Sequence, residues 1–253
     1  MAISVFDLFK VGIGPSSSHT VGPMKAAGMF ARGLRDDGLM PQVATVRVAL
    51  YGSLGLTGPG HGSDKAVLLG LEGEQPATVD VDAVPARLDA ITRSGTVRLL
   101  GEHEIPFTLG KNLEFNRKKK LGYHPNGMRF TAYGADDTAI RERAYYSVGG
   151  GFVADEDQAA AGSDGQPHGP DLPYPFTTGE ELLAHTGASG LPISGIVLAN
   201  EQALGRTAGQ IRAGLADLWQ VMQACVERGC ATDGMLPGGL KRSEERRVGK
   251  ECA

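Results

Sequence analysis

The chain changes texture once, near residue 154, and that change limits its fold more than any single motif. Before it, stretches of two-residue alternation are interleaved with stretches of three- and four-residue spacing. After it, only the helical spacing recurs. Alternation sends successive side chains to opposite faces of a strand, whereas helical spacing gathers them into one stripe. The expected architecture is therefore an α+β N-terminal domain followed by an all-α region.

In the first region, Met24, Ala27, Phe30 and Leu34 recur at helical steps after Pro23, a good first-turn residue. Thr20 or a neighbouring serine is expected to cap that helix. "QVATVRVALYGSL" alternates Val46, Val48 and Leu50 against Arg47, Ala49 and Tyr51, the pattern of a half-buried strand. "SDKAVLLGLEG" is apolar nearly all round and predicts a short buried helix. Asp82 precedes a further helical pattern with Pro85 in its first turn. Between Thr96 and Val148 strand signals dominate, in "GMRFTAYG" and "TAIRERAYYSVGGG" above all, and the late strands are expected to be antiparallel.

"ADEDQAAAGSDGQPHGPDLP" has almost no large apolar side chain and predicts a linker. Beyond it Ser194 is placed to cap "GIVLANEQAL", and Ile211, Leu215, Leu218, Met222 and Cys225 form one stripe. The expected boundaries are 1–155 for the α+β domain, 156–175 for the linker and 176–241 for helices. The remaining 242–253, with "RSEERRVGKECA", lacks apolar periodicity, and six of the ten residues from Ser243 to Cys252 are charged.

Composition narrows the function classes. The 253 residues are 41% hydrophobic and 21% charged with a formal net charge of −4, which describes a globular protein. No basic stripe with interleaved aromatics suggests nucleic acid, and no apolar run approaches the ~20 residues of a membrane span. The N-terminal "MAISVFDLFKVG" is too short and mixed for a signal peptide, so the expected compartment is the cytoplasm. Cys225, Cys230 and Cys252 are too few for a disulfide framework. Cys225 and Cys230 sit roughly 140° apart on a helix, a poor metal pair, and are expected as one buried and one surface thiol.

Four stretches of the first region gather polar groups beside glycine: "GPSSSHT" (14–20), "TGPGHGSD" (57–64), "HPNGM" (124–128) and "YYSVGGG" (145–151). Each is expected on a loop at the end of a regular element, where binding residues concentrate. Taken singly, each has an ordinary structural explanation: a capped helix start, a histidine beside a cap, a turn, a strand end. "GIG" followed by Pro15 does not complete a dinucleotide fingerprint. Together they hold three of the six histidines, several hydroxyls and Asn126 near a helix start, which suits a small carboxylate such as an amino acid.

These stretches also carry a resemblance. "SVFDLFKVGIGPSSSHTVGPMKA", "YGSLGLTGPGHGSDKAVLLGL", "HPNGM" and "YYSVGGGFV" closely resemble the bacterial single-chain iron–sulfur L-serine dehydratases (L-serine ammonia-lyases), and "PYPF", "GLPISGIVLANE", "LWQVMQACVERG" and "GMLPGGLK" continue it. The resemblance covers roughly residues 3 to 241. It implies a β domain followed by the start of a helical α domain, and a cytoplasmic lyase of amino-acid catabolism that converts L-serine to pyruvate and ammonia, supplying gluconeogenesis. The family's Lewis acid is a 4Fe–4S cluster, and its members commonly form homodimers. By motif match, His61 is the expected proton-transfer residue. Ser16, Ser17, Ser18, His19, Thr20, His124, Asn126 and Ser147 are the expected substrate-binding residues.

Two departures accompany the match. Pro59 stands where a longer polar side chain is expected. The family's cluster cysteines lie beyond the point where the resemblance stops, so no metal ligand is expected in this chain. With a tail resembling translated adapter sequence, the chain is expected to be truncated and inactive alone. Two alternatives stay open: a stand-alone serine-binding regulatory module, and a metal-dependent hydrolase using His19, His61, His124 and Asp64.

Overall fold

The computed structural model describes residues 4–161, 171–232 and 234. Of these, 12–161 form one compact unit, and 4–11 join 171–232 and 234 in a second. Residues 4–11 thus group with the helices rather than with the sheet. The tail at 242–253, with Cys252, lies outside the described residues.

The first unit is built on a five-stranded sheet. Its strands are β1 (Thr45–Tyr51), β4 (Leu113–Asn116), β5 (Gly127–Tyr133), β6 (Ala139–Gly149) and β7 (Phe152–Asp155), in the order β4-β1-β5-β6-β7. β1 runs parallel to β4, while β1–β5, β5–β6 and β6–β7 are antiparallel, as the late alternating stretches predict. A separate hairpin joins β2 (Thr96–Leu99) to β3 (His103–Pro106).

Alternation fixes the core face. Val46, Val48 and Leu50 of β1 and Met128, Phe130 and Ala132 of β5 are all buried. Against them lies α2 (Gly22–Asp36), whose Phe30 stacks on Phe130 with ring centroids 5.3 Å apart. Fully burying a side chain of this size contributes roughly 1.5–3 kcal/mol. Helix α4 (Ser63–Leu71) is apolar all round because both its sides are covered, by α2 and by the elements around α5 (Val84–Ser94). On the other face of the sheet, Arg47, Arg129, Tyr133 and Glu142 line an open pocket of about 300 Å³.

Three local expectations are corrected. The helix at Pro23 has no side-chain cap, because Ser17–Val21 forms a π-helical turn that runs directly into it. "TGPGHGSD" is not a loop: α3 (Gly52–His61) extends through it, and Gly62 at φ +69 makes the break before α4. Pro59 lies inside that helix without ending it. The helix is glycine-rich because it lies directly on β4; a Cβ at Gly55 would stand 2.4 Å from the Asn116 carbonyl oxygen. Finally, the expected linker begins in regular structure, since α6 (Glu156–Ala160) follows β7 at once through a capping box between Asp155 and Gln158.

The second unit contains α7 (Gly179–Ser189), α8 (Ile193–Ala203) and α9 (Ala208–Ala231). Capping boxes start α7 at Thr178 and α9 at Thr207. Ser194 does not cap α8; it lies inside the helix, whose preceding residue is Pro192. Ile196 and Ile211 are buried, but the rest of the α9 stripe is not: Leu215 and Met222 are 42% and 40% exposed, Cys225 is exposed and Leu218 is half-buried. Cys225 and Cys230 are both exposed, which corrects the expectation of one buried thiol. Among the described residues no single helix is long and apolar enough to cross a membrane.

The N-terminal segment is tied to this unit by one buried carboxylate. Glu201, 2% exposed, accepts hydrogen bonds from the Val5 backbone N–H at 2.7 Å and the Ser4 hydroxyl at 3.0 Å, and pairs with Arg206 at 2.9 Å. α1 (Val5–Leu8) follows, and the Arg206 guanidinium lies 4.8 Å from the centre of the Phe6 ring. Removing the carboxylate strands a guanidinium, an amide and a hydroxyl together. Glu201→Ala should therefore cost about 2–4 kcal/mol and release residues 5–9. Hydrogen exchange is the check: amide protection at Phe9, which bonds the Val5 carbonyl, should disappear while that of Phe130 persists. Unchanged protection at Phe9 would show that Glu201 is not the anchor.

Candidate active site

Each of the four polar, glycine-flanked stretches belongs to the first unit, and the fold brings them together. The π-helical turn Ser17–Val21 is the meeting point; such turns recur at functional sites because they redirect side chains that a regular helix would stack. Thr20 is buried, and its single hydroxyl proton lies between the carbonyls of Ile13 and Ser16, bracing the turn from inside. Ser63, the first residue of α4, donates to the His19 carbonyl at 2.6 Å. On the outer side Ser17 is exposed, while Ser16, Ser18 and His19 are half-buried.

His19 is held at both ring nitrogens. Nδ1 lies 2.9 Å from the Ser18 hydroxyl, itself 3.2 Å from that of Ser16. Nε2 lies 3.0 Å from the Thr57 hydroxyl and 3.2 Å from that of Ser53. Ser53, Thr57 and His61 sit at i, i+4 and i+8 of α3, and so on one face of it. The His61 ring stands 4.8 Å from that of His19, centre to centre. His61 Nδ1 is 2.8 Å from the Thr57 carbonyl, which can only accept. Nδ1 therefore carries a proton, and the tautomer this selects for a neutral ring has its lone pair on Nε2.

Electrostatics favour a neutral His19. Burial, then the neighbouring His61, lowers the pKa of His19 below the ordinary 6.5, with the hydrogen bond to Ser53 opposing. Two imidazoles this close resist both being charged. Burial likewise lowers the pKa of His124. Its Nδ1 accepts the Asn126 backbone N–H at 3.1 Å, so the neutral ring bears its proton on Nε2.

Two glycines allow the stretches to approach. At Gly52, φ is +56 and a Cβ would lie 2.2 Å from the Pro125 carbonyl oxygen, the same oxygen that accepts the Ser53 N–H at 3.0 Å. This ties "HPNGM" to the start of α3. At Gly22, a Cβ would stand 2.0 Å from Ser147 Oγ. Ser147 exchanges hydrogen bonds with Asn126: its N–H donates to the Asn126 carbonyl at 3.0 Å, and the Asn126 amide donates back at 3.1 Å. The Ser147 hydroxyl is fully buried and has no hydrogen-bond partner among the described residues; the same holds for Asp64 Oδ1. Beside His61 a pocket of about 270 Å³ opens between Pro15, Lys65 and Val84, floored by Ala66 and Leu69.

The expected residues thus fall into two connected groups: Ser16, Ser18, His19 and His61 around the turn, and His124, Asn126 and Ser147 behind it. Sequence reasoning missed Ser53 and Thr57. Their four-residue spacing to His61 was the available signal, hidden because the glycines and Pro59 suggested a loop. The hydrolase alternative is corrected: among the described residues no cluster of three or more His, Cys, Asp or Glu could hold a metal ion. Cys225 and Cys230 are exposed on α9, in the second unit, and offer no convergent thiolates for a cluster.

Comparison with known proteins agrees with this arrangement. The family model "Serine dehydratase beta chain" matches residues 4–158, and "Serine dehydratase alpha chain" matches 188–253, which includes the tail that looked foreign. The chain is 56% identical over 242 residues to an L-serine dehydratase of Streptomyces coelicolor, covering 95% of this chain and 52% of that protein. It is 44% identical over 240 residues to L-serine dehydratase 1 of Escherichia coli, covering 94% of this chain and 52% of the relative. It is 43% identical over 248 residues to an L-serine dehydratase of Mycobacterium tuberculosis, covering 98% and 53%. The chain spans about half the length of these relatives. With the first of these two models matching well over half of the chain and the second most of its helical C-terminal part, the chain belongs to the serine dehydratase family.

Proposed function

We propose that the first unit is the substrate-facing part of an L-serine ammonia-lyase, which removes water from L-serine and yields pyruvate and ammonia. The observation that carries this is His61: one nitrogen anchored by a backbone carbonyl, the other with no hydrogen bond among the described residues, beside a row of hydroxyls. Relatives named L-serine dehydratase supply the substrate. Location in the cytoplasm and assembly as a homodimer belong to the same proposal.

The chemistry asks for a base at a weakly acidic Cα–H and for help in expelling hydroxide, a poor leaving group. His61 Nε2 takes the Cα proton, and the resulting imidazolium is stabilised through Nδ1–H on the Thr57 carbonyl. The exposed Ser17 hydroxyl faces the carboxylate of the substrate, and the lone pairs of Ser16 and Ser18 face its ammonium. His19, with its pKa lowered by burial and by the neighbouring His61, favours the neutral form and so avoids repelling that ammonium. Loss of hydroxide gives aminoacrylate, whose imine tautomer hydrolyses in water to pyruvate and ammonia. In the family proposed, a 4Fe–4S cluster supplies the Lewis acid; the described residues do not fit it, so the departure of hydroxide is not assigned to a group of this chain.

The test uses this chain continued by the C-terminal half of the Streptomyces coelicolor relative. It should turn serine over to pyruvate, and His61→Ala should lower kcat by ~10²–10⁴-fold. Near-normal turnover in that variant would remove His61 from the proton transfer. Calorimetric serine binding by the 253-residue chain, with a chimaera that never turns over, would favour the binding-module alternative instead.

The depressed pKa of His19 has a signed consequence for stability. Unfolded, the ring takes a proton near its ordinary 6.5; folded, it does so only at lower pH. Between the two the unfolded chain binds more protons, so stability is lost as pH falls through that window. His19→Gln should flatten the loss of urea-unfolding midpoint seen on lowering the pH through about 6. An identical slope in both proteins would contradict the depressed pKa.

The iron prediction concerns the chain as it stands. With three cysteines, two of them exposed and divergent on α9, anaerobic reconstitution with iron and sulfide should leave no cluster absorption in the visible spectrum. A stable charge-transfer band would show ligands here that the geometry of α9 does not suggest.

A further inference from the structure

We propose that Thr57 is a positioning residue that sets the proton-bearing nitrogen of both site histidines. The inference deepens the lyase reading, in which His61 must present Nε2, but it rests on hydrogen-bond polarity alone.

Thr57 has a single hydroxyl proton. Its Oγ1 lies 3.0 Å from the Ser53 carbonyl oxygen, one helical turn back, and a carbonyl oxygen cannot donate. That contact is attractive only if the Thr57 proton points into it. Oγ1 then has nothing but lone pairs to offer His19 Nε2, 3.0 Å away on its other side. His19 must therefore carry its proton on Nε2 and accept at Nδ1. The Ser18 hydroxyl, 2.9 Å from Nδ1, must donate there, which leaves Ser18 to accept from Ser16. Every proton in the row then has a direction: Ser16 to Ser18, Ser18 to His19, His19 to Thr57, Thr57 to the Ser53 carbonyl.

The backbone of the same residue does the opposite for the second histidine. Its carbonyl takes the His61 Nδ1 proton and leaves Nε2 bare. One threonine thus fixes opposite tautomers in two rings 4.8 Å apart. The Ser53 hydroxyl cannot substitute, although it is 3.2 Å from His19 Nε2. That hydroxyl is free to donate or to accept, so it selects neither tautomer.

The test reads the histidine nitrogens of the whole 253-residue chain, labelled with ¹⁵N-histidine, in long-range ¹H–¹⁵N spectra at a pH of about 8, well above the ordinary imidazole value. His19→Gln and His61→Gln assign the signals. In the unsubstituted chain, His19 should show Nε2 protonated and His61 Nδ1 protonated. Thr57→Val keeps the shape and the carbonyl, so His61 should be unchanged while the His19 signals shift to those of a tautomer mixture. Thr57→Ser should restore the single His19 form. An unchanged His19 in Thr57→Val would overturn the proposal. So would a His19 protonated on Nδ1 in the unsubstituted chain, or loss of both patterns that Ser does not restore, the mark of a structural role only. The measurement involves neither serine nor turnover, so a wrong substrate would leave its outcome untouched.

Discussion

The site depends on how closely the turn before α2 rests on the end of β6. At Gly22 the missing side chain lets the backbone come against Ser147 Oγ, where a methyl group would stand 2.0 Å away. That approach sets the height of Ser17–Val21 over the sheet, and so where His19 points. Because cores are close-packed and deform little, a shift at this contact would pass directly into the row of hydroxyls. Ser147 is also fully buried, and its hydroxyl has no partner among the described residues, an arrangement that costs roughly 1–3 kcal/mol. The contact is thus placed for geometry rather than for stability.

Gly52 has the corresponding role on the other side. Its positive φ turns the chain sharply out of β1 into α3, and its bare Cα admits the Pro125 carbonyl. From there Ser53, Thr57 and His61 follow as one face of a helix that glycines press against β4. The second unit is held by a different kind of interaction. There a buried carboxylate, Glu201, gathers the first residues of the chain, so the N-terminus is tied by charge where the first unit is tied by steric fit.

Much of this was legible in the sequence, and the reasons are specific. Val46, Val48 and Leu50 alternate because one face of β1 meets the core, and Met24, Ala27, Phe30 and Leu34 recur because one face of α2 covers it. Such patterns are written by burial and survive without context. α3 was not legible for the converse reason. Gly55 and Gly58 are small because a strand lies against them, yet locally they read as turn residues. The caps failed similarly: Thr20 resembles a cap by type, but its hydroxyl is turned inward to brace the turn. The tie between residues 4–11 and the helices was not legible, because their partner, Glu201, lies almost two hundred positions away. Ser16, Ser18, His19 and His61 were named by resemblance, and their hydrogen-bond order needed coordinates.

Helix α3 also constrains how this region can change over generations. Its polar face works because Ser53, Thr57 and His61 keep a spacing of four, close to one turn. A single codon gained or lost between them would rotate everything beyond it by about 100° around the helix axis. His61 would then swing off the His19 side, and a glycine meant for β4 would be replaced there by a side chain with no room. Substitutions on the exposed side, at Leu56 for instance, meet no such barrier. Across this stretch the reading frame of the helix is held more tightly than most of its letters.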